Sequence, residues 1–177
     1  PKSFLREDGE ESCIHYGQLF TTYKEVINTV ISKTNRFDNS VMSKINDVLM
    51  PTSDVTPNGL ATASCIRENN IILGGDILII RTDVAILDGR FLSYLITLDR
   101  DQVIKLVSGS TVYHLYGSDM ATFMFSMPNE TEEQAAIANI LTDMDTEIQT
   151  LQHRLSKTQQ LKQGMMQALL TGKIRLV

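Results

Sequence analysis

Apolar positions along this chain follow two patterns: short runs broken by polar turns as far as Pro128, and one long periodic stripe beyond it. The stripe passes through Ile137, Leu141, Met144, Ile148, Leu151 and Leu155, in alternating steps of four and three, and reaches on to Leu161, Met165 and Leu169. Such steps form the seam of a coiled coil. They predict one amphipathic helix over Thr131–Leu170, roughly 55–60 Å long at 1.5 Å per residue. A stripe of that length outruns a small domain and calls for a partner helix.

Local signals bound this helix. Thr131-Glu132-Glu133-Gln134 has the spacing of a capping box, with Thr131 as N-cap and Gln134 at the third helical position. Glu132 and Glu133 put negative charge where the helix dipole favours it. Gly172 suits a left-handed C-terminal cap, with Lys173 and Arg175 beyond it. The seam is imperfect between Leu155 and Met165. Strict spacing falls there on Thr158 and Lys162, Leu161 is displaced from it, and Gly164 weakens the helix by up to about 1 kcal/mol relative to Ala. A register shift, a bend or a change of partner is expected at that point.

The runs before Pro128 predict many short strands and one or two short helices. Residues 1–12 are acidic and polar and read as a frayed or linking lead-in. Cys13–Tyr23 reads as a strand and turn, Val26–Ser32 as a β-rich run, and Val41–Met50 as a weakly alternating strand ended by Pro51. Pro51–Gly59, with two prolines and an Asn-Gly, is a loop. A tight polar turn at Arg67–Asn70 follows Leu60–Ile66. Ile71–Arg81 holds two apolar runs around Gly74-Gly75-Asp76, a buried strand pair or a bulged strand. Helical spacing begins at Phe91, Ser108–Thr111 is a small-residue loop, and Met120–Met127 is the expected final strand. The fold class is α+β, a globular domain over 1–128 followed by a long helix and tail over 129–177.

Composition narrows the function. With 177 residues and 42% hydrophobic content, the chain can bury one real core beside the helix. No apolar run approaches the roughly 20 residues that cross a membrane, and no signal peptide is visible. A first residue Pro1 in place of Met reads as an excised or trimmed chain. Cys13 and Cys65 are too few for a disulfide framework, which points to a reducing cytoplasm. With His15, His114 and His153 they form no metal-ligand spacing. A net charge of −5 argues against a generic nucleic-acid coat. It does not argue against a reader that touches one face of a short duplex, because charge distribution then outweighs the sum.

No motif carries chemistry by itself. Gly74-Gly75-Asp76 lacks the surroundings of a phosphate loop. Ser108-Gly109-Ser110 lacks the strand–elbow–helix setting of a nucleophile, and no carboxylate pair is spaced for general acid–base work.

Taken together, the segments resemble a known family. Phe123–Leu141, with its Pro128, its Glu133-Gln134 pair and its Ile137-Ala138-x-x-Leu141, resembles the end of a target-recognition domain of type I restriction–modification specificity subunits. Leu161–Leu176, with Leu169-Leu170-Thr171-Gly172-Lys173, resembles that family's spacer helix and ending. Gly75–Thr82, Ser108–Thr111 and Cys13–Gly17 are similar to further segments of the domain. Arg81 to Phe91 is shorter than in the family, and a full subunit has two such domains and two spacer helices where this chain has one of each. It looks like the C-terminal half or a natural half-subunit.

The resemblance implies a non-catalytic, cytoplasmic chain that reads one half of a bipartite double-stranded DNA target and docks methyltransferase and restriction subunits. S-adenosylmethionine, ATP and Mg would sit on those partners, with no cofactor on this chain. The helix would set the half-site spacing by pairing antiparallel with a second copy or the other half of the subunit. Base readout needs Arg, Asn or Gln at base edges and Lys, Ser or Thr at phosphates. The candidates are Lys33, Asn35, Arg36, Thr52, Ser53, Arg67, Asn69, Asn70, Arg81, Arg90, Ser108, Ser110, Thr111 and His114. The rival is a coiled-coil structural or adaptor protein without a DNA role, and a small enzyme is a third reading.

Overall fold

The computed structural model describes residues 4–35 and 40–176. In chain order the elements begin with β1 (Leu5–Arg6), β2 (Glu11–Ile14), α1 (Gln18–Thr21), β3 (Val26–Ile27), β4 (Ser32–Thr34) and β5 (Val41–Met42). Next come β6 (Asp47–Pro51), β7 (Ser53–Asp54), α2 (Pro57–Leu60), β8 (Ser64–Ile66), β9 (Ile72–Leu73) and β10 (Ile77–Arg81). The chain closes with α3 (Gly89–Leu98), α4 (Arg100–Leu106), β11 (Ser108–Gly109), β12 (Tyr113–His114), α5 (Gly117–Met120) and α6 (Thr131–Leu170). The fold is α+β with a long C-terminal helix. Two units are present, Pro1–Ala138 and Asn139–Val177, so the first two turns of α6 belong to the globular unit.

The described strands form three sheets, ordered β1-β4-β2-β9-β5, β10-β6-β8-β3 and β11-β12-β7. The second is buried on both faces, and its alternation shows why. Val48 and Met50 of β6, with Cys65 of β8, enter a core completed by Leu60, Leu92, Ile96, Val103, Leu115 and Met120. Leu49 and Ile66, on the opposite face, join Ile14, Leu19, Ile27, Ile71 and Leu73. Along β10, Leu78 and Ile80 pack on the first core, Ile77 and Ile79 on the second. All five residues of β6 are buried, which makes it the central strand of the domain. Gly89 opens α3 where a Cβ would meet the Asn46 carbonyl oxygen at 2.4 Å.

Several expectations are corrected. The lead-in is not frayed among its described residues, because Leu5–Arg6 pairs with β4 and Glu11–Cys13 with β4 on its other side. Ile72–Leu73 and Ile77–Arg81 are not partners: they join different sheets, and Gly74–Asp76 carries the chain between them. The Pro51–Gly59 loop contains β7 and the short α2. Ser108–Gly109 is a strand. Met120–Met127 forms no strand; Met120 ends α5, and the side chain of Gln102 stands in for a sheet neighbour at Met124. Gln102 Oε1 accepts the Met124 N–H at 2.6 Å and its Nε2 donates to the Met124 carbonyl at 2.9 Å.

The foot of the long helix departs from the expected capping box. The Gln134 backbone N–H donates to the Glu130 carbonyl at 3.3 Å, and its side chain turns into the globular unit and is fully buried. At the other end Gly172 takes the expected left-handed conformation, φ 73°.

Candidate nucleic-acid interface

Folding sorts the candidate residues by the two ends of the central sheet. β6 pairs antiparallel with both β10 and β8. Asp47, Arg81 and Ile66 therefore share one end, and Pro51 and Ile77 the other, roughly 13 Å away at about 3.3 Å per residue.

At the Pro51 end the small sheet gathers six candidates. His114 pairs with Ser53 on one side and Ser108 on the other. Ser110 and Thr111 form the exposed tip between β11 and β12, and Gly109 permits that turn with φ 120°. The Thr52 carbonyl accepts from Leu115 N–H at 3.0 Å, which anchors the sheet to the core. The His114 and Tyr116 rings stack with centroids 6.0 Å apart. Hydroxyls, an imidazole and an exposed phenol ring make a surface able to donate and accept at base edges. It contains no Lys or Arg, so it carries no positive side chain that would attract phosphate.

The opposite end holds cations in two states. Arg81 is bound to the buried Asp47 by Nε at 2.9 Å and a terminal nitrogen at 2.8 Å, and it also donates to the Met42 carbonyl at 3.3 Å. This ion pair and hydrogen bond raise the guanidinium above its ordinary value. Arg90 is mostly buried and paired with Asp88 at 2.6 Å. Burial alone raises the Asp88 carboxyl, but Arg90 and the N–H groups of Arg90 and Phe91 outweigh it and hold the carboxyl below its usual value. Either arginine would have to give up an ion pair to read a base. Arg67, by contrast, is exposed at the end of β8 and lines a cleft with Ile45, Val84 and Glu132. Among the described residues it makes no ion pair.

The asparagines are partly structural. Asn69 Oδ1 accepts from Ile45 N–H at 2.8 Å. Asn70 turns the chain at φ 61° and donates its backbone N–H to Ser43 at 3.0 Å. Lys33 is exposed on β4, flanked by Arg6 on β1 and Ser12 on β2. Asn35 is exposed just beyond, and Arg36 lies outside the described residues.

The candidate set left out exposed cations, among them Arg6, which pairs across from Lys33, and Lys44. Arg6 sat in the segment read as frayed; its strand pairing is a long-range fact with no local signal. Among the described residues no group of His, Cys, Asp or Glu could hold a metal ion, and no helix is long and apolar enough to cross a membrane.

A family model described as the type I restriction modification DNA specificity domain matches residues 14–162. Among solved structures, the chain is similar to the S subunit of the type I restriction–modification system of M. genitalium, with a TM-score of 0.56 and 18% identity. That likeness covers 94% of this chain and 43% of that one. A second, solved in work on complex assembly and conformational transition of the type I R-M system, gives a TM-score of 0.60 at 17% identity. It covers 95% of this chain and 40% of that one. This chain therefore spans about two fifths of each solved chain, and at these identities the likeness is one of fold.

Proposed function

The chain belongs to the type I restriction modification DNA specificity domain family, and on that premise we propose that it reads one half of a bipartite DNA target for a restriction–modification complex. The family match over 14–162 carries this reading. The role is recognition without catalysis. Methyltransferase and restriction subunits would dock on the chain in the cytoplasm and bring their own S-adenosylmethionine, ATP and Mg.

Two surfaces divide the task. The β11-β12-β7 sheet, with Ser53, Ser108, Ser110, Thr111 and His114, supplies base-edge contacts, and Arg67, Lys44, Lys33 and Arg6 supply phosphate contacts. A stiff helix makes a better spacer than a flexible linker, so α6 sets the distance between half-sites. Its apolar seam supports antiparallel pairing with a second copy or the other half of a subunit. Two-fold symmetry of two copies would require an inverted-repeat target.

A binding selection tests the reading. The chain, assembled with its methyltransferase subunits, is offered a random duplex pool, and enrichment of a split motif is expected. Enrichment of no motif would favour the adaptor reading.

A further inference from the structure

The seam explains why α6 seeks a partner and leaves several exposed apolar residues of the helix off it, Ile140 and Leu161 among them. Ile140 and Leu161 are 61% and 66% exposed, and neither lies on the seam. Each stands one residue before a seam position, on the same flank of the helix. Seven-residue steps along that flank give Ile140, Glu147, Arg154 and Leu161, a line reading apolar, acidic, basic, apolar.

This line is complementary to its own reverse. Ile140 lies ten residues before Thr150, and Leu161 ten after Leu151. Glu147 and Arg154 stand three residues out from the same midpoint, and the helix ends, Thr131 and Leu170, are placed symmetrically about it. We infer that two copies of this chain pair α6 antiparallel in one register, with Ile140 against Leu161 of the second copy and Glu147 against its Arg154. The inference rests on the antiparallel pairing proposed above and adds the register and the partner, a second copy.

Three arguments support it. Two-fold symmetry forms each contact twice, so a self-complementary line favours a copy of itself over an unrelated helix. The seam then brings Ile148 against Leu151 and Met144 against Leu155, all about half exposed in the single chain. Thr158 and Lys162, the polar interruptions, fall opposite Leu141 and Ile137, and the Leu161–Ile140 contact beside them restores apolar packing. Slipping by one heptad sets Glu147 against Glu147 or Arg154 against Arg154, like charges in either direction. Neither side chain has an ion pair within its own chain among the described residues. The charge of the whole helix agrees: Glu132, Glu133, Asp143, Asp145 and Glu147 fall before the midpoint, and Arg154, Lys157 and Lys162 after it.

Sedimentation of the full chain tests the register. Glu147→Arg and Arg154→Glu should each raise the dimer dissociation constant about tenfold, since two ion pairs turn repulsive at once. The two changes together should return it close to the original. A chain carrying Ile140→Cys and Leu161→Cys should cross-link into covalent dimers under mild oxidation. Ile140→Cys alone should not, because its two copies would lie about 30 Å apart along the axis. Cross-linking by the single variant, or dimers indifferent to both charge reversals, would overturn the register and leave pairing itself intact. An unaltered chain that stays monomeric at every concentration would overturn the pairing as well.

Discussion

Gln134 accepts the backbone N–H of Asp88 through Oε1 at 2.9 Å, and Asp88 is the N-cap of α3. The same carboxamide donates from Nε2 to the carbonyls of Ile86 at 3.1 Å and Pro128 at 2.8 Å. One side chain thus fastens the first turn of the long helix to the loop that starts α3 and to the segment before it. On the loop's other side Asn46 accepts from Gly89 N–H at 2.7 Å and donates to the Leu87 carbonyl at 2.9 Å. The loop is held from both sides by buried amides.

Gln134→Ala should therefore destabilise the globular unit by about 2–4 kcal/mol, because a buried N–H and two carbonyls lose their partner. Gln134→Glu places a second carboxylate oxygen against two carbonyl oxygens. Its folded pKa rises above the unfolded value of about 4.3, so its deficit at neutral pH should shrink as pH falls through the raised folded pKa toward about 4.3. Urea unfolding of both variants at two pH values checks this; equal loss for Glu at both would show that the carbonyl contacts are not made.

Arg67 and Arg81 should part company. Arg67→Ala should leave the urea midpoint unchanged and lower the salt dependence of DNA binding by about one ion. Arg81→Ala should lower the midpoint itself, because it strands the buried carboxylate of Asp47. Unfolding curves beside binding titrations at several salt concentrations separate these effects. Arg67→Ala with an unchanged salt slope would remove that residue from the DNA face.

Cys65 is buried among Val48, Leu92 and Ile96, and burial, with Asp88 nearby, pushes its thiol up to about 12. It should resist alkylation in the native chain and react on unfolding. The unfolded thiol titrates near its usual 9.0, so the unfolded state gains above that pH. Stability should fall between about pH 9 and 12. Cys65→Ala should flatten that decline, measured by thermal melts across the alkaline range.

The long helix was legible because a three-four step carried from Ile137 to Leu155, with a defined start and stop, has no competing explanation. So was α3, from Phe91, Leu92 and Ile96, and so were the apolar runs of β6 and β10. What the sequence concealed depends on pairings between distant residues. Asp47 and Arg81 are 34 positions apart, and Arg81 was taken by its type for a DNA reader. Gln134 matched a local capping pattern, and its actual partners lie 46 and 48 residues away. Met120–Met127 is β-prone by composition, yet Met120 ends α5 and the Met124 backbone bonds to the side chain of Gln102. Of the candidate site, nothing in the sequence showed that Ser108 and His114 meet on one sheet, and Arg81 and Arg90 were judged by type without regard to the carboxylates that hold them.

Leu151 stands next to the helix midpoint and is 51% exposed in the single chain. Leu151→Asp should abolish self-association while the domain's unfolding transition stays in place, because Leu151 belongs to the second unit. Sedimentation and circular dichroism of the same sample decide it. A dimer that survives the change would show that the seam is not the contact.

Methylation sequencing of DNA from a host carrying this chain with its methyltransferase subunits tests the central claim most directly. The account predicts one methylated motif made of two short specific blocks separated by a fixed gap, lost when this chain is deleted. Methylation that persists unchanged without the chain, or that follows a single undivided motif, would contradict it.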